Sequence, residues 1–212
     1  MPRVWLVVVI AAGAVLLAGA AKAKAPATGV DVCGAGGACI HIGANDAEQF
    51  WTRAGGAGRP AGAAPFYLLR WHFDTEPEQS AYYVPARHAV RWLRSTGAWG
   101  AVSPDGVAAL APPLRKLQPY PAPALTRVTI GGRVVSRPER YLRLLSGKPS
   151  AIFPPTTWLT VTLSSAEPSP WTNGASLIRL GRTAPYVIVD GWTFRIPSTV
   201  AKRARRGLPL GR

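Results

Sequence analysis

The chain is poor in acid, imidazole and sulfur. Among its 212 residues there are 10 Asp+Glu, 3 His, 2 Cys and 1 Met. Against 25 Lys+Arg, the scarcity of acid leaves a formal charge of +15 and excludes an acidic, solvated chain. Charged residues amount to 17% and hydrophobic ones to 48%, which excludes the low hydrophobicity of disorder. Glycine (22) and proline (21) are plentiful but follow no triplet period, so collagen is excluded. The familiar catalytic signatures are missing as well. There is no Gly-x-Ser-x-Gly, Ser-x-x-Lys or His-Glu-x-x-His, and no phosphate-binding glycine loop set between a strand and a helix. The length suits one domain or two small ones.

What is present begins with an export signal. Met1-Pro2-Arg3 is a short positive start, and Trp5 to Ala21 carries no charge. Ala21-Lys22-Ala23 then fits a cleavage site, so residues 1–23 are expected to be a signal peptide. The same run is just long enough to stay as an anchor, which makes a membrane-anchored envelope protein the alternative. No later segment is long and apolar enough to span a membrane. Export to an oxidising compartment favours a disulfide between Cys33 and Cys39 across the intervening Gly-Ala-Gly-Gly-Ala. A metal site using both thiols with His41 is the competing reading, weakened by the lack of a fourth ligand nearby.

The rest reads as short strands and tight turns with a few short helices, an α+β fold of mainly antiparallel strands. Aligned on itself at an offset of 91, Tyr67-Leu68 falls on Trp158-Leu159 and Glu76-Pro77 on Glu167-Pro168. At 93, Trp99 falls on Trp192 and Val107-Ala108 on Val200-Ala201. This predicts two tandem ββββα-like units, with Trp99 and Trp192 as matching core anchors. Asp190-Gly191 marks a type I′ hairpin in the second unit, and Ser95-Thr96-Gly97 stands in its place in the first. Gly131-Gly132-Arg133 marks a further hairpin. Ser103-Pro104-Asp105 opens one helix, and a second is expected from Arg137 to Ser146 with Ser136 and Glu139 as a capping box. The expected division is an Ala/Gly-rich segment with the cysteine loop at 24–60, a first β-rich unit at 61–119, a Pro-rich connector at 120–156, and a second β-rich unit at 157–212.

Chemistry-bearing residues are sparse. His72, Asp74, Glu76 and Glu78 alternate, and on a continuous strand all four would share one face. Such a set can bind a divalent cation or act as acid and base. Pro77 interrupts the strand, and a solvated acidic loop is the preferred reading. No catalytic residue is assigned; His88, flanked by arginines, reads as a surface residue. Trp171, in a loop found only in the second unit, is a better ligand-facing candidate than Trp99 or Trp192, against the more common case of a loop aromatic without that role.

The charge is lopsided. Removal of residues 1–23 leaves +13, of which residues 24–119 hold +2 and residues 120–212 hold +11. Lys202, Arg203, Arg205 and Arg206 fall within one arc of a C-terminal helix, with Val200, Ala204 and Leu208 opposite. The expectation is an exported, non-enzymatic domain without a cofactor. Its basic second half would bind an anionic envelope polymer, lipid headgroups or an acidic protein, with nucleic acid excluded by export. The alternative is a secreted hydrolase using the His72 to Glu78 set.

Overall fold

A computed structural model describes residues 25–53, 56–93, 98–152 and 157–211. The expected signal peptide at 1–23 and the expected Ser95-Thr96-Gly97 turn lie outside the described residues. The fold is α+β, built from two antiparallel sheets and a few short helices.

The first half runs β1 (Gly29–Cys33), β2 (Cys39–Gly43), α1 (Ala44–Arg53), β3 (Gly56–Ala57), β4 (Tyr67–His72), β5 (Gln79–Val84), β6 (Ala89–Trp92), β7 (Trp99–Ala101) and α2 (Pro104–Leu114). The second runs β8 (Leu125–Ile130), β9 (Arg133–Val134), a 3-10 helix (Pro138–Leu145), β10 (Lys148–Pro149), β11 (Trp158–Ser165), β12 (Ile178–Gly181), β13 (Tyr186–Val189), β14 (Trp192–Arg195) and α3 (Ser198–Arg205). The first sheet has the order β2-β1-β4-β5-β6-β7-β3. The second, read from its other edge, is β9-β8-β11-β12-β13-β14-β10. The two orders correspond strand for strand. In each half a hairpin and a helical turn precede a two-residue edge strand, and a four-strand meander leads into the last helix.

The Ala/Gly-rich stretch at 24–60 therefore supplies three strands of the first sheet, and the Pro-rich stretch at 120–156 supplies three of the second. The match at an offset of 91 needs adjustment on the central strands. Leu69 and Trp71 are buried in the first core, while their partners Thr160 and Thr162 are exposed. A one-residue shift restores like faces, because strand side chains alternate with a period of two.

Turn chemistry sets the hairpins. Asp190 and Gly191 have φ of 48° and 86°, as a type I′ turn requires, and Gly131 and Gly132 have 57° and 82°. Ser103 caps α2, its hydroxyl accepting from the Gly106 N–H at 3.2 Å. The helix after Ser136 is a 3-10 helix, and the capping box does not form: Arg137 is its N-cap, with φ of 52° and no side-chain cap.

One core lies on the helix side of the first sheet, where Val30, Val32, Leu69, Trp71 and Tyr83 meet Phe50 of α1 and Leu110 of α2. Phe50 stacks on Trp71 with ring centroids 5.5 Å apart. The other gathers Val128, Val161, Leu163 and Leu180 with Tyr141, Leu144, Ala201 and Ala204, and takes in Phe66, Tyr82 and Trp99 from the first half. That shared core joins the halves. Among the described residues, no helix is long and apolar enough to cross a membrane.

Candidate functional site

The Cys33–Cys39 disulfide closes the β1–β2 turn, with the two residues paired directly across it. Pairing from there outward is fixed, and two residues along it sets Asp31 opposite His41. On the other side of β1, Asp31 pairs with Arg70 and Gly29 with His72, so His72 sits diagonally to Asp31 on the same face. This face is opposite to the one carrying Val30, Val32, Leu69 and Trp71.

The side chains converge. His41 Nδ1 lies 2.8 Å from Asp31 Oδ1, and His72 Nε2 lies 2.9 Å from Asp31 Oδ2. One carboxylate therefore bridges two imidazoles, and ligand atoms of all three residues lie within 4.8 Å of one another. The rings are 6.1 Å apart between centroids. Burial pushes the Asp31 carboxyl up, but hydrogen bonds from His41 and His72 and their charge outweigh it, holding the group below its ordinary value. A Cβ at Gly29 would lie 2.5 Å from His41 Cε1, so glycine there lets the imidazole lie over the strand. His72 turns its Nδ1 toward Glu78, whose Oε2 is 3.8 Å away.

Of the alternative face of His72, Asp74, Glu76 and Glu78, only His72 and Glu78 lie together, and the acidic stretch is the solvated loop of the preferred reading. β4 ends at His72, and the hairpin returns Glu78 beside it, just before β5. Asp74 and Glu76 stay exposed in the connecting bend, because no strand continues to hold them in alternation. His41 is a partner of Asp31 and not of the cysteines, which are bonded to each other. Asp31 was not singled out by sequence. The signal that finds it is the disulfide: stepping outward from Cys33 and Cys39 sets Asp31 opposite His41 once they pair across a hairpin.

A second polar constellation lies at the junction of the halves. Arg91, 2% exposed, forms a close ion pair with Asp190 and donates to Ser176 Oγ at 2.8 Å. Trp99 Nε1–H donates to the same Asp190 oxygen at 2.8 Å, and the Leu177 N–H donates to the other at 2.7 Å. Desolvation by burial lowers the Arg91 pKa, opposed by the Asp190 charge. With both carboxylate oxygens engaged by the fold, this set reads as an internal clasp.

Trp171 is core and not a ligand platform: it is 1% exposed, it donates to the Ala61 carbonyl at 2.7 Å, and it packs on Phe66 and Trp99. Of the expected anchors, Trp99 is buried, but Trp192 is 37% exposed beneath Arg59. Lys202 and Arg203 on α3 and Arg206 at its C-cap are exposed, whereas Arg205 is half-buried and donates to the Gly181 carbonyl at 3.1 Å. Leu208 lies beyond the end of α3 and is exposed, while Val200 and Ala204 are buried. His88 is exposed.

Comparison with protein-family models, with curated proteins and with solved structures returns no match.

Proposed function

We propose that the protein is an exported, non-enzymatic domain that binds a divalent transition-metal ion at Asp31, His41 and His72. The observation that carries this is the convergence of two imidazole nitrogens on one carboxylate, from three adjacent strands of one sheet. A two-nitrogen, one-oxygen donor set suits zinc, and also copper or nickel, better than calcium or magnesium. His41 would bind through Nδ1 and His72 through Nε2, the atoms that now face Asp31. Glu78, whose Oε2 is 3.8 Å from His72 Nδ1, adds negative charge beside the ring nitrogen that faces away from Asp31. This replaces the four-residue set at His72 to Glu78 with a three-strand set, and gives the exported domain a cofactor that sequence reading did not expect. Export is supported by the character of residues 1–23 and is compatible with the disulfide. The matching strand orders support a tandem duplication in which only the first unit carries the site.

Equilibrium dialysis against zinc, followed by elemental analysis, tests the metal reading. One ion per chain is expected, with affinity reduced at least about 100-fold in Asp31→Ala and in His72→Ala. An unchanged stoichiometry in both variants, or no retention by the native chain, overturns it.

A second reading concerns the charge. Lys202 and Arg203 on α3 and Arg206 at its C-cap are exposed, and residues 120–212 contain Glu139, Glu167 and Asp190 as their only acids. Asp190 is committed to Arg91, so the second half offers an anionic envelope polymer, headgroup surface or acidic protein a cationic face. Salt-sensitive retention on anionic vesicles, lost in Lys202→Ala/Arg206→Ala, is the expected result. Retention indifferent to both would exclude it.

A further inference from the structure

A cleft of about 860 Å³ opens where the two halves meet and lies apart from both the metal site and α3. Its size falls in the usual range of small-ligand sites, about 300–1,000 Å³. Arg59, Arg87 and His88 line it, and no acidic residue does. In a chain with ten carboxylates, that makes the cleft a one-sign electrostatic well.

Each cation has a defined support. Arg59 follows edge strand β3 and lies 5.4 Å over the ring of Trp192 from the second half, so an aromatic face holds its guanidinium. Arg87 and His88 come from the 3-10 turn at Pro85–Arg87. His88 takes a left-handed conformation with φ of 46°; its N–H donates to the Pro85 carbonyl at 3.1 Å, and its own carbonyl accepts from Val102 at 2.7 Å. No ion pair among the described residues engages the three side chains.

The remaining walls are mostly glycine and alanine, with Ser146, Phe194 and Leu145 from the second half. At Gly58 a Cβ would lie 2.3 Å from the Gly100 carbonyl carbon, and at Gly147 it would lie 2.8 Å from the Phe194 Cβ. These walls are closely packed backbone. Beside them Gly62, Ala63 and Ala64 are half-buried and make no backbone–backbone hydrogen bond among the described residues, so their amide and carbonyl groups are open to ligand hydroxyls, and the walls provide no long apolar trough for an acyl chain. Cations plus accessible backbone suit a ligand that is both hydroxyl-rich and negatively charged. We infer that this cleft binds an anionic saccharide, carboxylated or phosphorylated, with Arg59 and Arg87 on its acid groups. The inference stands independently of metal binding.

Calorimetric titration of the full chain with trigalacturonate, glucose 1-phosphate and neutral maltotriose tests it, with inorganic phosphate as a further arm. Saturable binding of at least one of the two anionic sugars is expected, with maltotriose at least about tenfold weaker and inorganic phosphate weaker than the anionic sugar. Arg59→Ala and Arg87→Ala should each reduce binding about tenfold or more, and Trp192→Ala less, through the support it gives Arg59. Lys116→Ala, exposed after α2 and outside the cleft, should leave it unchanged. Failure of both anionic sugars to bind overturns the inference. So does equal binding of maltotriose, binding of inorganic phosphate as tight as that of the sugar, or equal weakening by Lys116→Ala, which would mark general charge attraction. Unchanged far-ultraviolet circular dichroism in each variant separates a lost site from a lost fold.

Discussion

Two halves share a strand order and differ in what their surfaces carry. The first half uses its hairpin β1–β2 to align Asp31 with His41, and its next strand to bring in His72. The second half has hydrophobic and hydroxyl residues and one cation, Arg127, on the corresponding strands β8 and β11, and concentrates cations. One sheet architecture thus carries a compact donor set in one half and a dispersed charge in the other. Frame and chemistry are separable here: strand order follows from hairpins and buried faces, whereas the site depends on which outward positions hold titratable groups.

The seam between the halves is where the largest effects are expected. Asp190→Ala would strand the buried Arg91 charge and unbond the Trp99 indole, and should cost about 3–5 kcal/mol in urea unfolding. Arg91→Met combined with Asp190→Asn should recover part of that loss, since no unpaired ion remains. Trp171→Ala, which empties the junction beside Phe66 and Trp99, should cost about 3–5 kcal/mol. If each half instead unfolds unaffected by these changes, the two units are independent and the shared core carries no stability.

Smaller effects sharpen the contrast on the first half. Cys33→Ser with Cys39→Ser should cost about 2 kcal/mol, a short-loop value, and should also weaken zinc binding because the hairpin register loosens. Gly29→Ala touches no ligand atom yet should push His41 aside, lowering zinc affinity about tenfold with the fold intact. Tyr83, buried in the first core, is pushed up to about 12 from an ordinary 10.0 by desolvation. Its neutral form is the one the fold favours, so the associated stability is complete below pH 10.0 and lost as pH rises through about 12. Ultraviolet titration at alkaline pH should show this tyrosine ionising only together with unfolding.

Much of the frame was legible in the chain. Asp190-Gly191 and Gly131-Gly132 declared their hairpins because only a few residue types accept positive φ, and Ser103-Pro104 declared a helix start. The disulfide followed from the spacing of the two cysteines and the expectation of export. Trp171 misled because a loop position says nothing about which way an indole turns; here it turns into the junction. Asp190 was read only as a turn former, and its contact with Arg91, 99 residues earlier, has no local signature. Asp31 was overlooked for a related reason. An isolated carboxylate between two valines looks like any outward strand residue until the pairing of its neighbours is known.

The metal centre is the central claim, and the chain's three histidines allow it to be read directly. Nitrogen-15 NMR of the imidazoles during zinc titration reports each ring nitrogen separately. His41 Nδ1 and His72 Nε2 should shift together to saturation at one equivalent while His88 stays in place. Shifts of equal size in all three rings, or no shift in His41 and His72, would contradict that claim.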